Sequence, residues 1–294
     1  MLLNPLPSSL EIPTTPPAFR FYIIFHKFLT KVAYEKVKRE YLDHYCRFVG
    51  VNVNIQKTVP PEYYPLIFEE TQLEHYNPFM QHNKFCESSV FFHTYMNAPL
   101  LLDPYRFVGF LQYDMVLEDS LFEVVDHVIK TIEEPDKTLF VHYVENSARH
   151  LEQCLTYDGW KEVIDIYNKM FGTSHFLEEA LVSDIPLYHC YLVPREIFRK
   201  MMKFATVAAP RIFEMLGADT AHLPYHLERC HGLFLLFQSL EKHIVRWIQL
   251  PGIEHRDGLK DSWQDSHVST QTALLKLRQN GASSEEKGET NSSE

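Results

Sequence analysis

Cysteine is scarce in this chain, and no two cysteines are close in sequence. The 294 residues contain five cysteines and no C-x-x-C spacing; the five are Cys46, Cys86, Cys154, Cys190 and Cys230. An odd number of scattered cysteines is typical of reduced thiols and argues against a disulfide framework or a zinc ribbon. We therefore expect an intracellular, cytoplasmic protein.

Long apolar runs and several well-known motifs are also missing. No apolar run approaches the roughly 18 residues that a membrane-spanning helix needs, and the N-terminus lacks the charged start and apolar core of a signal peptide. The chain contains no P-loop, no Gly-x-Gly-x-x-Gly and no H-E-x-x-H motif. These absences predict a protein without a membrane span and disfavour a kinase, a dehydrogenase or a zinc hydrolase.

Positive charge is in deficit. The 28 Lys and Arg residues face 39 Asp and Glu residues, which gives a net charge of -11. Such a chain is a poor candidate for holding nucleic acid on a broad basic surface, so we expect no nucleic-acid partner. A phosphate-bearing ligand would need local help from a metal ion, Arg, Lys or a helix N-terminus.

The chain has enough hydrophobic residues to form a folded domain. Hydrophobic residues make up 45% of the chain and aromatic residues 14%, enough for a substantial core. Residues 1–18 carry five prolines and are predicted to form an extended or disordered leader. Residues 279–294 are polar, acidic and free of aromatics, which predicts a disordered tail. The remaining residues, 19–278, are predicted to form a single domain.

Within this domain, apolar runs alternate with segments of helical periodicity. The predicted strands are 19–28, 47–54, 106–117, 138–145 and 185–194, and the predicted helices are 32–45, 83–97, 120–134, 159–172, 195–217 and 226–250. This alternation predicts an α/β protein with a mostly parallel sheet flanked by helices. In such sheets, ligands bind at the carboxyl ends of the strands.

A carboxylate stands near the end of one predicted core strand. The apolar run 107–111 is followed by Gln112, Tyr113 and Asp114. A buried and unpaired carboxylate is costly, so Asp114 must pair, bind a cation or emerge at the rim of the sheet. Position alone leaves two interpretations open, namely a functional carboxylate and a salt bridge or cap for the following helix.

Several stretches resemble the glycosyltransferases of capsular-polysaccharide and O-antigen synthesis. The segments are NPFMQHNKFCESSVFFHTYMN (77–97) followed by RFVGFLQYDM (106–115), the apolar first strand ending in His26 and Lys27, IPLYHCYLVPREIFRKMMKF (185–204) and ERCHGLF (228–234). The similarity spans roughly residues 20–250 in short pieces. Where the family has His-Tyr-Arg-Arg, this chain has Gln112, Tyr113, Asp114 and Met115, so it lacks two basic residues and gains a carboxylate.

The resemblance implies a GT-A-like fold and transfer of a sugar from a nucleotide-diphosphate donor. In such enzymes a carboxylate at a strand end often holds Mn²⁺ or Mg²⁺ on the diphosphate, and we assign this role to Asp114. Gln112 could add a neutral oxygen, and Tyr113 lies between the two. The implied partners are a nucleotide sugar, expected to carry uridine diphosphate, and a glycan or lipid-linked acceptor.

Further candidates come from the first strand and from the predicted helix 83–97. The resemblance suggests that His26 and Lys27 contact the donor, although His26 could equally be a rim histidine bonded to backbone. Asn83 and Glu87, four residues apart, would share one helix face. That face could point into the donor site or into solvent.

The densest polar cluster opens the last predicted helix. Glu228 is our candidate for the general base that an inverting transferase needs. His231 could be a late metal ligand, and Arg229 could hold a phosphate with two hydrogen bonds. Asp184 is a second candidate for contact with the acceptor. Caps and surface ion pairs are the alternative role for all four residues.

Two other functions remain open at this stage. A non-catalytic protein that binds nucleotide sugars or a partner on the same scaffold would explain the lost basic pair. A phosphate-ester hydrolase of α/β type would require a second carboxylate beside Asp114. Convergence of His26, Asp114 and the cluster 226–231 on one pocket would favour an enzyme.

Overall fold

A computed structural model describes residues 10–80, 85–217 and 220–256. The strands are β1 (Phe19–Phe25), β2 (Cys46–Gly50), β3 (Ile67–Glu69), β4 (Phe107–Gln112), β5 (Met115–Leu117), β6 (Thr138–Val141), β7 (Val144–Asn146), β8 (Asp184–Pro186), β9 (Tyr191–Pro194), β10 (Arg246–Gln249) and β11 (Ile253–His255). The α-helices are α1 (Arg39–Tyr45), α2 (Ile55–Thr58), α3 (Ser88–Met96), α4 (Ala98–Leu101), α5 (Asp119–Thr131), α6 (Ser147–Glu152), α7 (Tyr157–Phe171), α8 (Leu177–Leu181), α9 (Arg195–Leu216) and α10 (Leu223–Leu240).

The main sheet has seven strands in the order β10-β6-β9-β4-β1-β2-β3. Neighbouring strands run parallel except where β9 pairs with β4 and β6, which it meets antiparallel. Two small antiparallel ribbons, β5 with β11 and β7 with β8, lie beside it. The prediction of a single α/β domain with a mostly parallel sheet flanked by helices is therefore confirmed.

Both faces of the sheet are covered, which explains the continuous apolar runs in its strands. Every residue of β1 is buried, and from Phe21 to Phe25 its side chains alternate between two separate core clusters. Tyr22 and Ile24 pack with α3, α7, α9 and α10 on one face. Phe21, Ile23 and Phe25 pack with α1 and α5 on the other.

The predicted last helix, 226–250, is wrong over its last ten residues. Helix α10 ends at Leu240, and residues 246–249 form β10, an edge strand that pairs with β6. Lys242 has φ of 61°, a left-handed conformation that turns the chain out of the helix. The sequence beyond this turn, with Ile244, Trp247 and Ile248, has the β-branched and aromatic residues that suit a strand.

Three predicted strands are each divided in the structure, and one of them, 138–145, is split between β6 and β7. The predicted strand 106–117 turns at Tyr113 and Asp114 between β4 and β5, and the predicted strand 185–194 is interrupted between β8 and β9. Tyr188 and His189 have φ of 62° and 51°, so the backbone there is left-handed and cannot continue a strand. The interruptions of 106–117 and 185–194 lie at the same edge of the sheet.

The helices differ from prediction mainly at their ends. The predicted helix 83–97 begins only at Ser88, so Glu87 is its cap, and the predicted helix 32–45 is helical only from Arg39. Helix α9 runs through Pro210 without a break and ends before Gly217. Within the described ranges, no helix has the length and apolar character needed to cross a membrane.

Candidate active site

A cavity of about 380 Å³ opens at the edge of the sheet where β1 and β4 end and β9 begins. It is lined by His26, Cys86, Glu87, Gln112, Asp114, Tyr188, His189, Ala221, Pro224, Tyr225, Glu228 and His255. Five of these residues were candidates from the sequence, namely His26, Glu87, Gln112, Asp114 and Glu228. His26, Asp114 and one member of the cluster 226–231, Glu228, thus converge on one cavity.

The parallel register of two central strands brings the first of these residues together. His26 follows β1 directly, and Gln112 is the last residue of β4, paired with Ile24 of β1. The amide of Tyr113 donates to the carbonyl of Ile24 at 3.1 Å, which extends the pairing by one residue before the chain turns. Asp114 lies in that turn, so its side chain reaches the cavity from the strand end.

Asp114 has one carboxylate oxygen engaged and one without a bonded partner. Its Oδ2 lies 3.3 Å from Nε2 of His255, while its Oδ1 is buried and accepts no hydrogen bond from the described part of the protein. Burial of such an oxygen costs free energy unless a donor or a cation satisfies it. The ribbon of β5 and β11 holds the pair in place, since His255 is in register with Met115.

His26 shares its Nδ1 atom between two neighbours. This nitrogen lies 3.4 Å from Oε1 of Glu87 and 3.9 Å from Sγ of Cys86. Burial lowers the pKa of His26 against the opposing effect of the Glu87 and Asp114 charges. The ring of Tyr113 packs edge-on against the His26 ring at 5.2 Å, so Tyr113 supports the site from behind the cavity lining.

Glu228 approaches from the opposite side, on the first turns of α10. Burial raises the pKa of Glu228 to about 7, and the neighbouring Arg229 guanidinium and a backbone hydrogen bond from Tyr188 limit the rise. Arg229 donates from Nη1 to Oε1 of Glu228 at 2.8 Å and to the carbonyl of Tyr225. Arg229 is therefore engaged with the carboxylate and is not part of the cavity lining.

The left-handed pair before β9 forms the floor of the site. The carbonyl of Tyr188 accepts from Nε2 of Gln112 at 2.8 Å, which leaves the Gln112 side-chain oxygen as the atom that could face a ligand. The Tyr188 ring stacks on the His255 ring at 5.5 Å. Non-glycine residues in this conformation store strain and are frequent at functional sites.

The other sequence candidates lie away from the cavity lining. His231 is completely buried behind His189, with 3.1 Å between their facing nitrogens, and burial lowers the pKa of His231 to about 3. Asp184 is exposed on the ribbon of β7 and β8, opposite Asn146. Lys27 is exposed beside the site, and Asn83 lies outside the described residues.

Sequence reasoning did not find Cys86, Tyr188, His189, Tyr225 or His255, all of which line the cavity. Cys86 could have been considered from its place beside Glu87. His255 had no local signal, because it stands in a short polar segment after the last predicted helix. The late histidine that contacts Asp114 is thus His255, whereas His231 is packed in the core.

The charges of the lining residues are strongly one-sided. Glu87, Asp114 and Glu228 all line the cavity, and the lining includes neither Lys nor Arg among the residues that the structure describes. The Glu87 charge raises the pKa of Glu228, so the carboxylates interact across the cavity. Such a site favours binding of a cation, or of a ligand that brings one.

Comparison with known proteins gives similarity of structure alone. No protein-family model and no curated protein matches the chain. Among solved structures it is similar to the apo form of the bifunctional glycosyltransferase WbbM, with 11% sequence identity and a TM-score of 0.47, over 83% of this chain and 47% of that one. It is also similar to apo mouse xyloside xylosyltransferase 1, with 11% identity and a TM-score of 0.38, over 83% of this chain and 99% of that one.

The chain therefore spans about half the length of WbbM. Both neighbours are glycosyltransferases by name. Similarity at this level does not assign an activity, so the function has to be argued from the cavity itself.

Proposed function

We propose that this chain is a metal-assisted glycosyltransferase that moves a sugar from a nucleotide-diphosphate donor, expected to be a uridine diphosphate sugar, to a glycan or lipid-linked acceptor. One observation carries the proposal. Asp114, Glu87 and Glu228 meet His26 and His255 in a single cavity at the carboxyl ends of the central parallel strands. A polyanionic donor fits so acidic a cavity only together with a cation.

The residues around Asp114 fit a divalent metal ion. The unbonded Oδ1 of Asp114 and the side-chain oxygen of Gln112 are hard ligands of the kind that Mg²⁺ and Mn²⁺ prefer, and His255 adds an imidazole nitrogen next to Asp114. When bound, the ion would supply Lewis-acid stabilisation of the negative charge on the leaving diphosphate. We assign Asp114 and His255 as its principal protein ligands, with Gln112 as the auxiliary one.

Glu228 is suited to remove the proton of the acceptor hydroxyl. A general base works best when its pKa lies near the working pH, and burial places the pKa of Glu228 at about 7. The ion pair with Arg229 fixes the orientation of the carboxylate and prevents a larger rise. Glu228→Gln is therefore expected to keep donor binding and to lose turnover by about 10²- to 10⁴-fold.

Aromatic side chains provide surfaces for a flat ligand. Tyr225 and Tyr188 line the cavity with 56% and 38% of their surface exposed, and the Tyr188 ring is held against His255. Rings that are rigid and half-exposed stack on bases or on the apolar face of a sugar. We assign donor or acceptor contact to these two tyrosines and to His26.

The test is thermal melting of the full chain against nucleoside diphosphates and nucleotide sugars, each with and without Mn²⁺. A ligand that binds the folded state raises the melting temperature, and the rise is expected only when nucleotide and metal are both present. Asp114→Asn should abolish the metal-dependent part. The matched control is Asp184→Asn, which neutralises an exposed carboxylate outside the cavity. This variant should keep the metal-dependent rise in melting temperature.

Two results would contradict the proposal. If no nucleotide in the panel raised the melting temperature in a metal-dependent way, nucleotide-diphosphate donors would be excluded as ligands. An unchanged response of Asp114→Asn would show that the metal is held elsewhere.

A phosphate-ester hydrolase is the second candidate, because the cavity does contain another carboxylate near Asp114. His26 feels the charges of both Glu87 and Asp114, and all three residues line the same cavity. Product analysis separates the two functions. A hydrolase releases phosphate products from nucleotide sugars in water at its full rate, whereas a transferase needs an added acceptor to reach its full rate.

A further inference from the structure

A second group of metal-ligand atoms lies in the same cavity, formed by His26, Cys86 and Glu87. Each of these residues offers one ligand atom, and the three atoms lie within 4.8 Å of one another. All three residues line the cavity, so an ion between them would remain accessible from it. Neither the role of Asp114 nor that of Glu228 makes use of this group.

The distances are long for hydrogen bonds. Nδ1 of His26 is 3.4 Å from the Glu87 carboxylate, whereas the His93–Glu70 and His150–Glu145 contacts in the same chain are both 2.8 Å. A nitrogen–oxygen hydrogen bond has its usual length near 2.9 Å. The His26–Glu87 separation is therefore longer than a usual hydrogen bond.

The same distances fit the edges of a tetrahedral coordination site. With metal–nitrogen and metal–oxygen bonds of about 2.1 Å and a metal–sulfur bond of about 2.3 Å, adjacent ligand atoms lie about 3.4 Å apart for N and O and about 3.6 Å apart for N and S. The observed separations are 3.4 Å for Nδ1 to Oε1 and 3.9 Å for Nδ1 to Sγ. These two separations are close to the tetrahedral edges, and the third pair of ligand atoms lies within 4.8 Å.

The backbone conformation at Cys86 allows two consecutive side chains to approach the same atom of His26. Cys86 has φ of 45°, a left-handed conformation that is unfavourable for a residue with a side chain. With this turn, Cys86 and Glu87 both approach Nδ1 of His26. Strain of this kind persists where the surrounding structure fixes it, and it is concentrated at functional sites.

We infer that His26, Cys86 and Glu87 form a binding site for a zinc-class transition-metal ion, separate from the hard-cation site at Asp114 and His255. A thiolate, an imidazole and a carboxylate select Zn²⁺ and similar ions, whereas Mg²⁺ avoids sulfur. Three protein ligands would leave a fourth position for water or a ligand oxygen, and all three residues line the cavity.

Burial, with the Glu87 charge as a further cause, raises the pKa of Cys86 to about 12. A metal ion would have to displace the thiol proton on binding, because the thiolate is the form that coordinates a metal. A protonated thiol is also a poor nucleophile, which makes covalent catalysis by Cys86 an unsuitable alternative.

Cobalt is the probe, because Co²⁺ bound to a thiolate absorbs in the near ultraviolet through sulfur-to-metal charge transfer. The full chain is reduced, stripped of metal and titrated with Co²⁺, and Zn²⁺ is then added to displace it. We expect the charge-transfer band to saturate at one equivalent of Co²⁺ per chain and to disappear when Zn²⁺ is added. The measurement requires neither nucleotide nor turnover, so its failure is distinct from failure of the proposed function.

Variants assign the ligands. Cys86→Ser should abolish the band, and Glu87→Gln should weaken Co²⁺ binding by at least about tenfold while keeping the band at saturation. Cys154→Ser, which removes another partly buried thiol, should leave the band and the Co²⁺ affinity unchanged. Asp114→Asn should keep the band at saturation, because Asp114 supplies no ligand atom to this group. If Cys86→Ser does not fold, His26→Asn together with Glu87→Gln provides the same test.

The inference is overturned by any of three results. These are absence of the band in the wild type, persistence of the band in Cys86→Ser, and its loss in Cys154→Ser or Asp114→Asn.

Discussion

At the scale of single residues, Glu228 has the clearest consequence for stability. The ordinary pKa of a glutamate side chain is 4.5, and burial raises the pKa of Glu228 to about 7. The folded state therefore holds this proton more tightly than the unfolded state. The stability that Glu228 contributes is complete below pH 4.5 and is lost as the pH rises towards 7.

Glu228→Gln removes this dependence, because an amide does not titrate in this range. As the pH rises from 5 to 8, the free energy of unfolding of the variant is expected to increase by roughly 2 to 3 kcal/mol relative to that of wild type. Urea unfolding of both proteins at the two pH values measures the gain.

Glu178→Gln, a change of an exposed carboxylate on α8, is the control and should show no such difference between the two pH values. An equal pH response of wild type and Glu228→Gln would mean that Glu228 is not held neutral by burial.

At the scale of elements, α3 is fixed to the sheet by one stacked pair and one buried polar cluster. Phe91 stacks on Phe110 of β4 with ring centroids 3.8 Å apart. Oε1 of the completely buried Glu70 accepts from Oγ of Ser89 at 2.6 Å and lies 2.8 Å from Nδ1 of His93. These contacts set the start of α3 against the end of β4, and so they determine where Cys86 and Glu87 stand.

The central strand β4 contains a glycine for reasons of space. A Cβ atom at Gly109 would lie 2.5 Å from the Phe21 ring and 2.9 Å from the Leu192 side chain. Gly109→Ala is expected to lower the free energy of unfolding by about 1 to 3 kcal/mol through overpacking. Urea unfolding gives the value, with an unchanged slope showing that both proteins unfold in the same way.

Gly159→Ala is the matched change within helix α7. Its nearest contact would be 3.2 Å, and alanine favours a helix, so the variant should remain within about 1 kcal/mol of wild type. If Gly109→Ala proved as stable as Gly159→Ala, the sheet would be less tightly packed at its centre than the structure indicates.

At the scale of the whole molecule, the domain boundaries from the sequence remain predictions. Residues 257–294, which include the predicted tail, lie outside the described residues. The composition of 279–294 predicts that these residues add nothing to the folded domain. A chain ending at residue 278 is therefore expected to melt within about 1 °C of the full chain, since a loss of 1 kcal/mol would lower the midpoint by about 2 to 4 °C.

A chain ending at residue 240 is the comparison. It lacks β10, which pairs with β6, and β11, which carries His255, so it should unfold well below the full chain. A large loss of stability on removal of 279–294 alone would contradict the boundary at 278.

The sequence by itself predicted the fold class and named some of the residues that line the candidate site. Alternating apolar strands and amphipathic helices indicate a parallel sheet, because each pattern specifies how much of an element is buried. Polar residues at the ends of such strands, as at His26, Gln112 and Asp114, must then share one edge, since parallel strands end on the same side.

Tertiary structure alone decided the rest of the site. Asp114 meets His255 across 141 residues because a short ribbon pairs β5 with β11, and no periodicity in the sequence encodes that pairing. Cys86 reaches His26 across 60 residues through a left-handed turn and the packing of α3. Local patterns specify which residues are buried and where elements end, whereas the contacts between distant side chains depend on how those elements pack.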